Sequence, residues 1–116
     1  MKTRKWTIAI ISLIFVLIAI AAVYKRTDAD PVAASNVEIK IDNFTFAPTR
    51  LVVRKGTQIT WTNRDDIPHT VVEDNKLFKS HVLDTGETFT FTPTQPGTYK
   101  YYCSIHPKMT AELVVK

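Results

Sequence analysis

The chain has 116 residues, enough for one small domain, with a formal net charge of +4 and a single cysteine, Cys103, so an intrachain disulfide is excluded. Five of the fifteen basic residues flank an apolar N-terminal segment, and the other ten face all eleven acidic residues, which leaves residues 27–116 with a net charge of about −1. The basic excess therefore indicates membrane topology, and a nucleic-acid-binding protein is excluded because no basic cluster follows.

The apolar segment, residues 6–24, runs for nineteen residues without a charged side chain. As a helix with a rise of ~1.5 Å per residue it would span roughly 28 Å, close to the thickness of the hydrocarbon core of a membrane. Basic residues precede it, so it predicts an N-terminal hydrophobic helix that anchors the chain and places the following domain outside the cytoplasm. A cleaved signal peptide is the alternative, and both interpretations export the rest of the chain.

These patterns divide the chain into three parts. Residues 1–26 form the membrane anchor or signal peptide, residues 27–36 a short polar linker, and residues 37–116 the folded domain. We expect this domain in the periplasm or on the outer face of the cell membrane, held through residues 6–24 if that segment is uncleaved and secreted in soluble form if it is cleaved. We also expect a monomer.

The domain shows the two-residue period of strands that have one face on a core and one face in water. The alternating runs are residues 37–42, 59–62, 88–92 and 111–115. Turn signals such as Lys55-Gly56 and Pro96-Gly97 separate the runs. Seven or eight short strands predict an all-β fold, an antiparallel β-sandwich, in which residues 74–84 form either a short helical turn or an irregular loop.

Residues suited to binding a metal follow the strand that contains Tyr101. Because side chains alternate along a strand, Cys103 shares the face of Tyr101 and should point inward at the strand's end. His106 and Met109 follow at intervals of three residues, and Pro107 prevents regular sheet pairing, so the chain must curl into a compact loop. A thiolate, an imidazole and a thioether aimed at one point form the soft ligand set that copper prefers.

A trigonal blue-copper site needs a second histidine, and His69 is the candidate. It lies 34 positions before Cys103 at a boundary between loop and strand, and a β-sandwich can place both loops at the same end. The third histidine, His81, matches no ligand pattern and is interpreted as a surface residue. The sequence therefore predicts one copper ion per chain with Met109 as a distant axial ligand. The predicted copper ligands are His69, Cys103, His106 and Met109.

The domain resembles the cupredoxin family, and within it the amicyanin and plastocyanin type. The resemblance covers nearly all of residues 37–116 and includes Thr60-Trp61-Thr62-Asn63, Pro68-His69, Gly97-Thr98-Tyr99 and Tyr101-Tyr102-Cys103. It implies an eight-stranded Greek-key sandwich with copper near one end, and one-electron transfer between Cu(II) and Cu(I) without enzyme activity. One departure concerns the position directly after the first ligand histidine, where the family usually has Asn and this chain has Thr70. Its hydroxyl and backbone N–H can replace part of the Asn's role in tying the two ligand loops together.

The resemblance also implies that the outer edge of His106 is the port for electrons. The apolar residues beside the two histidines predict a collar where redox proteins dock briefly. The residues of this predicted collar are Ile67, Pro68, Ile105 and Pro107. Nearby, Asp65-Asp66 is interpreted as part of a solvated loop.

Other classes of protein fit the pattern less well. The main alternative is an extracytoplasmic protein that stores or delivers copper with the same four ligands, which a reversible reduction potential and fast electron exchange would distinguish from a carrier. A multicopper enzyme is disfavoured because the chain's three histidines cannot build a second copper centre. An immunoglobulin-like binding module would need a second cysteine.

Overall fold

The structure, a computed structural model, describes residues 35–116, which fold into two four-stranded β-sheets that enclose one core. The strands are β1 (Asn36–Asp42), β2 (Thr45–Ala47), β3 (Arg50–Val53), β4 (Gln58–Asn63), β5 (Val72–Glu73), β6 (Thr88–Phe91), β7 (Gly97–Tyr102) and β8 (Thr110–Val115). The predicted N-terminal helix at residues 6–24 lies outside the described residues. Within residues 35–116 no helix is long and apolar enough to cross a membrane.

The eight strands confirm the predicted all-β sandwich. One sheet has the order β2-β1-β4-β6 and the other the order β3-β8-β7-β5, and each connection from β2 through to β7 passes from one sheet to the other. The turn between β4 and β5, the hairpin between β1 and β2 and the loop between β7 and β8 carry the residues of the candidate site.

The expectation of purely antiparallel sheets was wrong. Strand β1 pairs with β4 in parallel, and β3 pairs with β8 in parallel, whereas the remaining pairs are antiparallel. The alternation of apolar residues reports which face of a strand is buried and carries no information on the direction of its neighbour. Because the chain crosses to the opposite sheet between β1 and β4, it can return in the same direction without a helical crossover.

The alternating residues that were predicted to form strand faces make up part of the core, and loop residues such as Phe78 and Leu83 complete it. Ile39 and Ile41 of β1 and Ile59 of β4 are fully buried between the sheets. Trp61 lies among aromatic rings, with its ring centroid 5.5 Å from that of Phe78 and 5.6 Å from those of Phe89 and Tyr101. Burial raises the pKa of Tyr101 to about 12, so this phenol keeps its proton at neutral pH.

Residues 74–84 form an irregular loop, which decides between the two expectations for this segment. Isolated bridges between His69 and Leu83 and between Val72 and Lys79 attach the loop to the chain before and within β5. The loop therefore holds the backbone of His69 on one side, although its sequence has no alternating apolar pattern that would predict this contact.

The buried residue Leu113 of β8 tests how much the core contributes to stability. Leu113→Ala should lower the free energy of unfolding by about 2–5 kcal/mol, because it removes buried apolar surface and leaves a cavity. Val52→Ala on β3 is the control, since Val52 is 44% exposed, and it should cost less than about 1 kcal/mol. Urea denaturation of the purified protein measures both, and equal losses would contradict the core assignment.

Candidate metal centre

Backbone hydrogen bonds close the loop of residues 103–109 between β7 and β8. The N–H of Cys103 donates to the carbonyl of Met109 at 3.0 Å, and the N–H of Met109 donates to the carbonyl of His106 at 2.9 Å. Cys103 is fully buried, Met109 is buried beneath the loop, and His106 is half-buried. One tight turn therefore carries three of the predicted ligands, as the spacing and Pro107 predicted.

The structure brings His69 to this loop. Its side chain is fully buried, and its Nδ1 lies 3.7 Å from Sγ of Cys103. The ring centroid of His106 lies 5.2 Å from that of His69. Two hydrogen bonds with Leu83, at 3.1 and 2.8 Å, fix the backbone of His69 at this place. The remote histidine and the loop cysteine thus meet at one buried end of the sandwich.

The side chain of Asn63 determines the path of the loop between β4 and His69. Its Nδ2 donates to the carbonyls of Ile67 at 2.9 Å and Leu83 at 2.8 Å, and its Oδ1 accepts the N–H of Asp65 at 2.9 Å. Asn63 is fully buried, so these bonds satisfy an amide that would otherwise be costly to bury. The loop before His69 is consequently held in one conformation.

The prediction that Asp65 and Asp66 lie in a solvated loop was wrong for Asp65, which is only 8% exposed. Asp66 is exposed, as expected. The Oδ2 of Asp65 lies 2.7 Å from Nε2 of His69, and its two oxygens accept the N–H groups of Asn43 and Phe44 at 2.7 and 3.1 Å. Burial acts to raise the pKa of Asp65, but the N–H groups of Phe44 and Asn43 and the His69 ring outweigh it and hold the pKa below its usual value. The role of Asp65 could not be predicted from the sequence, because its hydrogen-bond donors Asn43 and Phe44 lie on a distant turn.

Hydrogen-bond donors surround the thiol of Cys103. Burial acts to raise the pKa of this thiol, but hydrogen bonds from the N–H of Thr70 and from the N–H groups of His106 and Ile105 act against it, and the pKa lies below its ordinary value. The N–H of Thr70 lies 3.4 Å from Sγ. These donors favour the thiolate, which is the form that binds metals.

Thr70 connects the two loops in the way expected of it. Its Oγ1 accepts the N–H of Ser104 at 2.7 Å and lies 2.7 Å from Oγ of Ser104 and 3.8 Å from Sγ of Cys103. Because the hydroxyl accepts from the backbone, its own proton remains for the Ser104 hydroxyl or the sulfur. A threonine thereby joins the His69 loop to the Cys103 loop through both its backbone and its side chain.

Phe44 is a second residue that the sequence analysis missed. It lies in the two-residue turn between β1 and β2, where Asn43 has a φ of 50° and Phe44 a φ of 56°. Its ring meets the rings of His69 and His106 edge-on, at centroid distances of 5.8 and 5.0 Å, although the residue is 52% exposed. The feature that could have indicated Phe44 was an exposed aromatic residue at the tip of a hairpin, but the motif of the predicted ligands does not include this position.

The predicted collar has the exposure that docking would require at three of its four positions. Pro68, Ile105 and Pro107 are exposed, whereas Ile67 is half-buried. His81 is exposed and lies 3.7 Å from a carboxylate oxygen of Glu87, so its interpretation as a surface residue is confirmed.

The distance between His69 and Cys103 suits a shared metal ion. Nitrogen and sulfur donors at ~2.0 and ~2.3 Å from one ion and about 120° apart lie about 3.7 Å from each other, which matches the 3.7 Å between Nδ1 and Sγ. Among residues 35–116 no three His, Cys, Asp or Glu side chains are spaced to hold an ion by themselves. This also applies to His69, Cys103 and His106 taken as a set, so the close approach that the described residues show is that of the His69–Cys103 pair.

Comparison with known proteins gives consistent matches. A family model described as a cupredoxin-like domain matches residues 11–115. The chain is 32% identical over 90 residues to amicyanin-alpha of Methylorubrum extorquens. This alignment covers 72% of this chain and 74% of the relative. The chain is also 38% identical over 72 residues to plastocyanin of Daucus carota, covering 53% of this chain and 74% of the relative. A solved purple cupredoxin from Nitrosopumilus maritimus aligns with a TM-score of 0.63 and 33% identity, over 71% of this chain and 99% of that chain.

Replacement of Thr70 tests the link between the two loops. Thr70→Val keeps the shape of the side chain but removes the acceptor of the Ser104 N–H, so the free energy of unfolding should fall by about 1–3 kcal/mol in the metal-free protein. Thr90→Val, at an exposed position of β6, should change it by less than about 0.5 kcal/mol. Chemical denaturation compares the two, and a Thr70→Val protein as stable as the Thr90→Val control would show that the link contributes nothing.

Proposed function

This chain belongs to the cupredoxin family, as the resemblance predicted, and is of the amicyanin and plastocyanin type; we propose that it carries single electrons on one copper ion between redox proteins. The observation that carries the proposal is the 3.7 Å approach of His69 Nδ1 to Cys103 Sγ in a buried setting. A lone thiol whose thiolate form is favoured by neighbouring N–H donors, beside an imidazole, suits a soft metal ion.

We propose the four predicted residues as the copper ligands. His69 and Cys103 approach each other, the ring of His106 lies beside that of His69, and the buried Met109 would supply a thioether. Bound copper would supply the one-electron couple between Cu(II) and Cu(I). The proposed ligands are His69, Cys103, His106 and Met109.

The protein's own contribution is a site that changes little when an electron arrives. Asn63 fixes the loop before His69, Thr70 joins the two loops, and the backbone bonds of residues 103–109 close the turn. Because these bonds do not depend on the metal, the ligand positions should be nearly the same in both oxidation states. A small rearrangement gives a low barrier to electron transfer.

Electrons would enter and leave through His106, which is half-buried among exposed apolar residues. Pro68, Ile105 and Pro107 supply the exposed part of the collar, and the ring of Phe44 extends it to the β1–β2 turn. A small apolar surface of this kind suits a short-lived encounter with a redox protein of limited contact area.

We place the domain outside the cytoplasm, in the periplasm or on the outer face of the cell membrane. The support is the charge-free run of residues 6–24 behind basic residues. If this segment is uncleaved, it would keep the carrier near membrane-bound donors and acceptors and raise its effective concentration there.

Copper binding and its redox behaviour test the proposal directly. One equivalent of Cu(II) should give an intense visible absorption that bleaches with reductant and returns on reoxidation, and Cys103→Ser should remove it because the thiolate–copper bond is lost. His81→Ala is the control and should keep the colour, since His81 lies exposed beside Glu87. A colourless wild-type protein would contradict the carrier, and copper binding without reversible reduction would favour the storage or delivery protein.

A charge placed in the collar tests the docking surface. Ile105→Asp should lower the rate of electron exchange between copies of the loaded protein by about tenfold, because like charges meet beside His106 and apolar contact is lost. Leu77→Asp introduces the same charge at a residue that is 56% exposed on the loop after β5. NMR line broadening in mixtures of reduced and oxidised protein measures the rate, and equal effects of the two variants would refute the collar.

A further inference from the structure

The carboxylate of Asp65 accepts hydrogen bonds from two different loops. The N–H groups of Asn43 and Phe44 reach its oxygens from the β1–β2 turn, and Nε2 of His69 lies 2.7 Å from Oδ2. Asp65 is almost wholly buried and His69 fully buried, so water weakens these contacts little.

These contacts locate the proton of the His69 ring. Each carboxylate oxygen of Asp65 already accepts a backbone N–H, so the carboxylate acts as an acceptor and Nε2 of His69 is the donor in the 2.7 Å contact. A neutral imidazole that carries its proton on Nε2 has its lone pair on Nδ1. Nδ1 is the nitrogen that faces Sγ of Cys103 at 3.7 Å.

We infer that Asp65 is a positioning residue of the copper centre: it prepares His69 to bind the ion through Nδ1 and favours Cu(II) over Cu(I). The inference rests on the copper site of the proposed function. A carboxylate that accepts the second N–H of an imidazole makes that imidazole a stronger ligand. A nearby buried negative charge also stabilises the more highly charged ion.

Asp65 connects His69 to its aromatic neighbour as well. The turn that it holds has a positive φ at both Asn43 and Phe44, a conformation that residues other than glycine adopt at a cost. The ring of Phe44 stands edge-on to the rings of His69 and His106. One carboxylate thus sets the orientation of a ligand and holds the turn that covers it.

Asp65→Asn and Asp66→Asn form a matched pair of variants. Each removes one negative charge, but Asp66 is exposed and only Asp65 contacts His69. An amide offers a single acceptor oxygen and an NH₂ group, so Asn at position 65 cannot accept all three N–H groups as the carboxylate does. The difference between the two variants therefore reports the buried carboxylate of Asp65 with its contacts, because the loss of one charge from the molecule is common to both.

The first measurement is the reduction potential of the copper-loaded protein. Asp65→Asn should lower the ratio of Cu(II) to Cu(I) affinity by about tenfold, which for a one-electron couple is a rise of about 59 mV. Asp66→Asn should change the ratio by less than about twofold, because its charge is screened by solvent. Asp65→Glu keeps a carboxylate within reach of Nε2 and should restore at least half of the shift in potential.

The second measurement needs no copper, and the wild-type protein alone gives its first result. Nitrogen-15 NMR of the metal-free protein should show the His69 ring protonated at Nε2 and unprotonated at Nδ1. Asp65→Asn should give a mixture of both tautomers, whereas Asp66→Asn should keep the wild-type form.

Three results would overturn the inference: equal potential shifts in Asp65→Asn and Asp66→Asn, an unchanged potential in Asp65→Asn, or a metal-free His69 protonated at Nδ1. If the wild-type protein binds no copper, the proposed function fails. In that case the tautomer of the metal-free protein still decides whether Asp65 positions His69. An Asp65→Asn protein that does not fold leaves the same decision to the wild-type spectrum.

Discussion

The meeting of the His69 imidazole and the Cys103 thiol at 3.7 Å, away from water, is the constraint that the other features of this domain serve. Burial alone would keep the sulfur protonated, and it would leave the imidazole without partners. The N–H of Thr70 and the N–H groups of the following loop counter the first effect, and the carboxylate of Asp65 counters the second. The site is thus an apolar end of the sandwich that contains a small group of hydrogen-bonded polar residues.

The two sheets contribute a frame, and three connections contribute the chemistry. The β1–β2 turn supplies Phe44, the β4–β5 connection supplies His69, and the β7–β8 loop supplies the other proposed ligands. Polar side chains with satisfied bonds hold these connections in place, most clearly Asn63, which bonds to three backbone groups. A polar network whose members are all paired gives a rigid arrangement, and a single missing partner would make the same network costly to bury.

Much of the fold and of the candidate site could be predicted from the sequence. Alternation of apolar residues shows which face of a strand is buried, and short intervals between the predicted ligands show that they lie on one loop. Ile39 and Ile41 are buried as their alternation predicts, and the interval from Cys103 to Met109 closes as one turn. The direction of the β1–β4 pair could not be predicted, since a parallel neighbour leaves the pattern of a strand unchanged. The burial of Asp65 was also out of reach, because its N–H donors come from a turn more than twenty positions away.

The complete burial of Cys103 affects how easily its thiol can be oxidised before copper binds. In an oxidising compartment an unfolded chain would expose this thiol to other cysteines and to oxidants, whereas the native sandwich buries it. For a carrier outside the cytoplasm, as proposed, the risk of oxidation would therefore be confined to the time before folding. The yield of protein with an intact sulfur would then depend on the rate of folding relative to the rate of oxidation.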